Sequence, residues 1–322
     1  MIRKLSANLA AAFTIMLGTS ALAQTPPAPG AILELPARFH PGSGVAAPDG
    51  RIFVASITTG RIMVFAPGSS TPTDFIDPAA VGMDSAMGIE VDTARNRLWA
   101  CSANLGVDRT PGDHPTALLG LNLQSGALEQ TLPLPGGGLC NDLVVTRSGA
   151  LVVTDSFSPR LLVLRPGASA LEDLIRDPLL TPPTGGFGTD GIIELDDGSL
   201  LVSKNSAGEL VRINDPLGST PTITPLRTSR ALANADGIMR GLNGQIYLAE
   251  PDFTGRNGRI DRISLTESEA VIETVVEQLA TPLGIVVTPT GFWTIEGRMG
   301  PVLFPDRKNE DPGRMTLVFH AE

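Results

Sequence analysis

The sequence predicts an all-β fold, a six-bladed β-propeller of four-stranded blades closed as a single domain. Two observations carry this. The first is a repeated unit. Leu139 to Asp155 reads as an apolar strand, a turn at Arg147-Ser148-Gly149 and a second apolar strand ending in an acid, the pattern of a β-hairpin. The unit recurs from Asp190, through Asp197-Gly198, to Lys204, and from Asp236, through Asn243-Gly244, to Glu250. From the opening polar residue (Asn141, Asp190, Asp236) to the closing one the separation is 14 residues each time. Fainter copies run from Ser43 to Ser56, Met87 to Ser102 and Leu283 to Glu296, so the six starts are 44 to 54 residues apart, the length of one propeller blade. The second observation is negative. Val/Ile runs bounded by Gly leave no sustained 3.6-residue period, and the one segment approaching helical spacing, Glu267 to Leu279, falls where a blade's outer strand belongs.

Taken in order, the chain opens with Arg3 and Lys4, an apolar stretch from Leu9 to Leu17, and Ala21-Leu22-Ala23 before Gln24. That is the pattern of a secretory signal peptide over residues 1–23, and it implies a periplasmic or secreted protein. A Pro-rich linker follows over 24–30, and the propeller occupies 31–322. Third strands are expected at Gly60–Phe65, Leu161–Leu164 and Gly208–Ile213, and fourth strands at Leu128–Leu134 and Ala270–Val276. Ala31 to Leu35 is expected to complete the last sheet beside Met315–Phe319, which locks the ring and hides its edges. The net charge is −10, and −12 without Arg3 and Lys4. This argues against nucleic acid or an anionic membrane as partner and leaves a small-molecule substrate or ligand, or an unidentified protein. The two cysteines, Cys101 and Cys140, fall in successive repeats. They are expected to pair in an exported protein; two separate buried thiols are the alternative.

The chemistry follows from repeat position. The first strand of each blade lines the central channel, so the residue opening each repeat lies near one mouth. Around the ring these are Ser43, Met87, Asn141, Asp190, Asp236 and Leu283. Three adjacent blades therefore offer Asn, Asp and Asp, and converging oxygen donors suit a hard cation. Capping of adjacent backbone N–H groups is the competing role for any one of them. Asp155, Lys204, Glu250 and Glu296, at the ends of the second strands, are expected as an outer shell of the same mouth. His40, His114 and His320 fall outside the repeat motif. No G-x-S-x-G, H-E-x-x-H or P-loop sequence occurs, which leaves serine-hydrolase, zincin and nucleotide-binding readings without a motif.

These repeats resemble those of the gluconolactonase and senescence-marker-protein (regucalcin-like) family of six-bladed propellers. The resemblance rests on Asn141-Asp142 with Gly149 and Asp155, on Asp190-Gly191, and on Asp236-Gly237-Ile238 followed by Asn243-Gly244-Gln245-Ile246-Tyr247. It extends over essentially the whole of 31–322. It implies a divalent cation at the channel mouth, Ca²⁺ foremost with Zn²⁺ or Mn²⁺ as alternatives. Asn141 and Asp190 would be ligands, and Asp236 both ligand and general base. Where the family has Glu before Gly-Pro in its first blade, this chain has Ser43 before Gly44-Val45. Glu90 is not expected to replace it, because strand alternation from Met87 sends it into the blade. The activity implied is metal-dependent hydrolysis of lactones or related small esters. Within that reading, and apart from the resemblance, Lys204 is the candidate for stabilising developing negative charge. A non-catalytic propeller that binds a small ligand or a partner protein is the alternative, suited by the uncharged half of the mouth at Ser43, Met87 and Leu283.

Overall fold

A computed structural model describes residues 26–105 and 114–322. The expected signal peptide, residues 1–23, and most of the insertion between Asn104 and Pro115 lie outside the described residues. The first strand, β1 (Ile32–Leu35), belongs to the last blade. Blade 1 comprises β2 (Pro41–Ala46), β3 (Ile52–Ser56), β4 (Ile62–Phe65) and β5 (Thr73–Asp74). Blade 2 comprises β6 (Ser85–Asp92), β7 (Arg97–Ala103), β8 (Ala117–Asn122) and β9 (Leu128–Pro133). Blade 3 comprises β10 (Cys140–Val145), β11 (Leu151–Asp155), β12 (Arg160–Leu164) and β13 (Glu172–Arg176). Blade 4 comprises β14 (Thr189–Glu194), β15 (Leu200–Lys204), β16 (Glu209–Asn214) and β17 (Thr222–Thr228). Blade 5 comprises β18 (Ile238–Arg240), β19 (Ile246–Glu250), β20 (Gly258–Leu265) and β21 (Glu269–Leu279). Blade 6 comprises β22 (Pro282–Thr288), β23 (Gly291–Glu296) and β24 (Met315–Ala321), with β1 as its outer strand. The segment with near-helical spacing is thus β21, an outer strand, because its apolar residues pack on one face of a sheet.

The core is divided among the blade interfaces, and the period-2 alternation of the second strands explains why. In β3, Phe53 and Ala55 pack with Ile89, Leu98 and Ala100 of blade 2. Val54, between them, turns the other way to meet Val286, Trp293 and Ile295 of blade 6. Every residue of β11, β15, β19 and β23 is buried, since each second strand is covered on both faces. That is why these strands read as unbroken apolar runs rather than alternating ones.

The ring is closed by β1, which pairs antiparallel with β24 from Ile32↔Val318 to Leu35↔Met315. Leu33 and Leu35 are buried there beside Trp293, Leu317 and Phe319. A chain beginning at Pro36 loses four strand pairs and two buried leucines, at about 1.5–3 kcal/mol per leucine. The expected result is a Tm lower by about 5–15 °C, read by calorimetry. A chain truncated only to Gly30 should keep its Tm. Blades 4 and 5 are also joined at their outer edges, where β17 and β21 pair in parallel through Arg227↔Glu269 and Thr228↔Ala270.

Cys101 of β7 and Cys140 of β10 form a disulfide with Cα atoms 5.1 Å apart, bridging blades 2 and 3 across 39 residues of sequence. Closing a loop of this size is worth about 4 kcal/mol in the chain-entropy account. Replacing both cysteines with serine should lower the unfolding free energy by about 2–4 kcal/mol in urea titration.

Candidate active site

The site begins with an irregularity shared by the first strands. In β6, β10 and β14 two residues oppose one on the neighbouring strand: the pairing jumps from Ala86 to Ile89, from Cys140 to Leu143 and from Thr189 to Ile192. The residues displaced are Met87-Gly88, Asn141-Asp142 and Asp190-Gly191. A bulge of this kind bends the strand and re-aims its side chains. Here it turns them into the channel, and second-strand hydroxyls fill the broken ladder. Thr154 Oγ1 accepts from Asp142 N at 2.9 Å, and Ser203 Oγ donates to Gly191 O at 3.3 Å and Asp236 O at 2.7 Å.

The channel encloses a cavity of about 560 Å³. On one side stands a row of acids from four consecutive blades: Glu90, Asp142, Asp190 and Asp236. Asn205 holds the last two together, its Nδ2 donating to Asp190 Oδ2 at 3.0 Å and to Asp236 Oδ2 at 2.8 Å. Asn141 donates to Ser156 Oγ at 2.8 Å and also bonds to Asp190. Gly237 N donates to Asp236 Oδ1 at 3.0 Å. The structure thus gathers Asn141, Asp190 and Asp236, as the repeat positions imply, and adds Asn205, Asp142 and Glu90.

Asp142 occupies the position that is Gly44, Gly88, Gly191, Gly237 and Gly284 in the other blades. Its carboxylate lies across the neighbouring first strand, where a Cβ on Gly88 would come within 2.3 Å of Asp142 Oδ1. A side chain at 88 would therefore displace Asp142. The expectation for Glu90 is corrected. Simple alternation places Met87 and Glu90 on opposite faces, but the extra residue in the β6 bulge resets the alternation. Ile89 enters the core and Glu90 faces the channel.

None of these four acids forms an ion pair with a described Lys, Arg or His. The two arginines lining the far end of the channel are engaged elsewhere, Arg147 with Glu194 at 3.3 Å and Arg240 with Asp196. Burial without a basic partner raises every carboxyl in the row. Burial, then the charges of Asp142 and Asp92, push Glu90 up to about 8. Burial, with the charge of Asp190, raises Asp142 to about 7 against bonds from the Leu143 and Ile192 backbone. Burial raises Asp190 to about 7 despite its Asn205 and Asn141 bonds. Asp236 is pushed well above the usual range by burial and by the Asp190 charge.

The second-strand ends serve the blades themselves. Leu139 N donates to Asp155 Oδ1 at 2.9 Å, Ala233 N to Glu250 Oε1 at 2.8 Å and Ala280 N to Glu296 Oε2 at 2.7 Å. Each acid thus secures the loop that enters its own blade, and each has an arginine close by: Arg160, Arg230 and Arg298. They are not the outer shell of the mouth that the sequence suggested. Lys204 is not brought to the acid row either. Its Nζ is 2.7 Å from Glu209 Oε2, the residue opposite it on β16, and it does not line the cavity. No histidine lines the cavity: His40 bonds to Gly297 O at 2.9 Å, His114 to Asp84 at 2.8 Å, and His320 stacks on Phe292.

The other half of the mouth is apolar. Ile57, Leu283 and Met299 are buried against Met87, Leu105 and Phe253. Ser43 is occupied by the Ile89 backbone N–H, 3.4 Å from its Oγ.

Among the described residues no three His, Cys, Asp or Glu side chains form a ready metal-holding group. Two carboxylates and two amides, from Asp190, Asp236, Asn141 and Asn205, are nevertheless an oxygen-donor set that suits a hard divalent cation. A half-turn of the Asn205 amide would replace its Nδ2 with Oδ1, and the uncompensated carboxyls are the charge such an ion neutralises.

No protein-family model and no curated protein matches the chain. Solved structures do. A candidate gluconolactonase superposes with a TM-score of 0.64 at 14% identity, covering 92% of this chain and 94% of its own. The calcium-binding protein regucalcin from Agrobacterium tumefaciens superposes with a TM-score of 0.63 at 15% identity, covering 94% and 96%. An inactive H270A form of virginiamycin B lyase from Staphylococcus aureus, bound to quinupristin, gives 0.57 at 14% identity, covering 90% and 98%. At such identities the likeness is one of fold, which does not carry function with it. The chain therefore shares its six-bladed propeller with proteins of several activities, and its own chemistry has to be argued from the channel.

Proposed function

We propose that the protein is a metal-dependent hydrolase of lactones or related small esters. The observation that carries this reading is the row of carboxyls, gathered by Asn205 and without a basic partner, beside an apolar wall in an open cavity. Asp190, Asp236, Asn141 and Asn205 would hold a divalent cation, Ca²⁺ foremost. When bound, it supplies Lewis-acid polarisation of the ester carbonyl. The apolar wall positions the substrate and excludes water from its buried side. Asp236 is the base: in the ionised form it takes a proton from water as the oxygen adds to the carbonyl carbon. The acyl C–O bond then breaks and the proton passes to the leaving alkoxide, giving a hydroxy acid or an acid and an alcohol. Asp142, raised to about 7 by burial and by the Asp190 charge, is suited to hold or return a proton near neutral pH. Lys204 has no part, since Glu209 holds it away.

The reading goes with export to the periplasm or beyond, supported by the pattern of residues 1–23 and by a disulfide of the kind that oxidising compartments maintain. A ligand-binding propeller without turnover is the second reading, favoured by the apolar half of the mouth. One experiment separates them. Protein stripped with chelator is titrated with Ca²⁺, Mn²⁺ and Zn²⁺, and followed by thermal unfolding and by hydrolysis of D-glucono-δ-lactone and γ-butyrolactone. A ligand specific for the folded state should stabilise it by about 2.7 kcal/mol at 100 times its Kd, with turnover appearing over the same range. A flat response to all three cations, with no hydrolysis, removes the hydrolase reading.

A further inference from the structure

We propose that the site takes lactones or esters bearing a hydrophobic alkyl substituent in preference to polyhydroxylated ones, and that Phe157 and Phe187 form the platform on which the substituent lies. The chemistry rests on the hydrolase reading above, but the selectivity can be read by binding alone.

Three observations lead here. The first is volume. A lactone ring of seven heavy atoms displaces about seven waters, roughly 210 Å³, so it fills less than half of the 560 Å³ cavity. The second is what faces the remaining space. The acid row stands on one wall, Arg147 and Arg240 line the far end, and Ile57, Leu283 and Met299 form an apolar face in the other half. A ring with hydroxyls on every edge would leave several unpaired against that face, at a cost an alkyl group does not incur. The third is the platform. The Phe157 and Phe187 rings stack at the mouth with centroids 5.7 Å apart and planes at 26°, and Phe157 remains 52% exposed.

The backbone under both rings is pinned before any ligand arrives. Phe157 N donates to Asp155 Oδ1 at 3.1 Å, and Asp155 is held by Arg160 at 2.8 Å. Phe187 N donates to Ser206 Oγ at 2.9 Å, and Ser206 N to Phe187 O at 3.1 Å. Ser206 directly follows Asn205, which joins Asp190 to Asp236, so platform and acid row are one residue apart on the same turn. An exposed apolar surface of this kind, on a pinned backbone beside the acid row, gains affinity when covered.

The test uses the cation-loaded protein and four probes: γ-butyrolactone, γ-hexalactone, γ-octalactone and D-glucono-δ-lactone. Affinity by calorimetric titration, and kcat/KM where hydrolysis occurs, should rise with the alkyl chain by up to about fourfold per methylene. D-glucono-δ-lactone should bind more weakly than γ-octalactone. Phe157→Ala and Phe187→Ala should each reduce the ratio of γ-octalactone to γ-butyrolactone affinity, and the half-exposed Phe157 can be removed with little change in Tm. A chain-length dependence that both variants flatten supports the proposal even if no lactone is hydrolysed, in which case only the hydrolase reading falls. Equal affinity along the series, tighter binding of the polyol, or no binding of any probe overturns it, however fast the turnover.

Discussion

Asp236→Asn should weaken the cation-dependent rise in Tm and lower lactone hydrolysis by about 10²–10⁴-fold, the usual contribution of a positioned base, while making the cation-free protein more stable at pH 8. The two effects have one cause. Asp236 is buried beside the Asp190 carboxylate, 2.8 Å from the Asn205 amide they share. Ionised, the pair repels; with an amide at 236 the repulsion is gone, but so are the proposed base and one of the two carboxylate charges proposed to hold the cation. Asparagine keeps the shape and one acceptor oxygen for the Gly237 N–H, so the fold is not at risk. Asp155→Asn provides the contrast. That acid is equally buried, but it is paired with Arg160 at 2.8 Å and lies outside the cavity lining. Breaking a buried ion pair from one side costs about 3–5 kcal/mol, so this variant should lose stability and keep its cation-dependent shift. If Asp236→Asn still responds to Ca²⁺ like the wild type, the cation is not held by this row.

The second large effect is the pH dependence of stability in the absence of cation. Glu90, Asp142 and Asp190 titrate near 8, 7 and 7 when folded, and Asp236 is raised in the same direction. Unfolded, these groups have ordinary values near 4. Below pH 4 both states are protonated and the stabilisation is complete. From pH 4 upward the unfolded chain gives up protons that the folded channel retains, so stability falls as pH rises through 7 and 8, where Asp142, Asp190 and Glu90 ionise. One carboxyl moved from 3.8 to about 7 is worth about 4 kcal/mol, and the four interact, so the whole drop is several kcal/mol rather than four times that. The paired surface acids Glu34, Asp196 and Asp197 are lowered, and their effect has the opposite sign and falls below pH 4. Urea titrations at pH 5 and pH 8 check this: the apo protein should be weaker at pH 8, and a saturating cation should restore it with release of protons. A protein equally stable at both values would mean that the row is already neutralised.

Several features of the molecule were legible in the chain. The 14-residue spacing of Asn141–Asp155, Asp190–Lys204 and Asp236–Glu250 marks a unit too regular for anything but a repeat, and its apolar arms follow directly from burial on both faces. The closing strand was legible too, because Ala31–Leu35 is a short apolar segment with no partner of its own. Asn141, Asp190 and Asp236 could be placed together because equivalent positions in a ring of blades must converge on its axis.

The rest depended on contacts that one strand's pattern does not contain. Glu90 reaches the channel only because a bulge resets the alternation of β6. The one sign of Asp142 in the sequence is that it stands where five blades have glycine. Asn205 comes from a turn after β15, and its neighbour Lys204 is drawn away by Glu209, a choice made between adjacent strands. Phe157 and Phe187 are thirty residues apart and meet only when blades 3 and 4 are side by side. The sequence by itself determined the number of blades, their strands and the arc of polar residues at the mouth, since these follow from periodicity and burial. Tertiary structure alone decided which acids share the channel, which are neutralised by arginine and which face remains apolar, since charge and packing act through space and not along the chain.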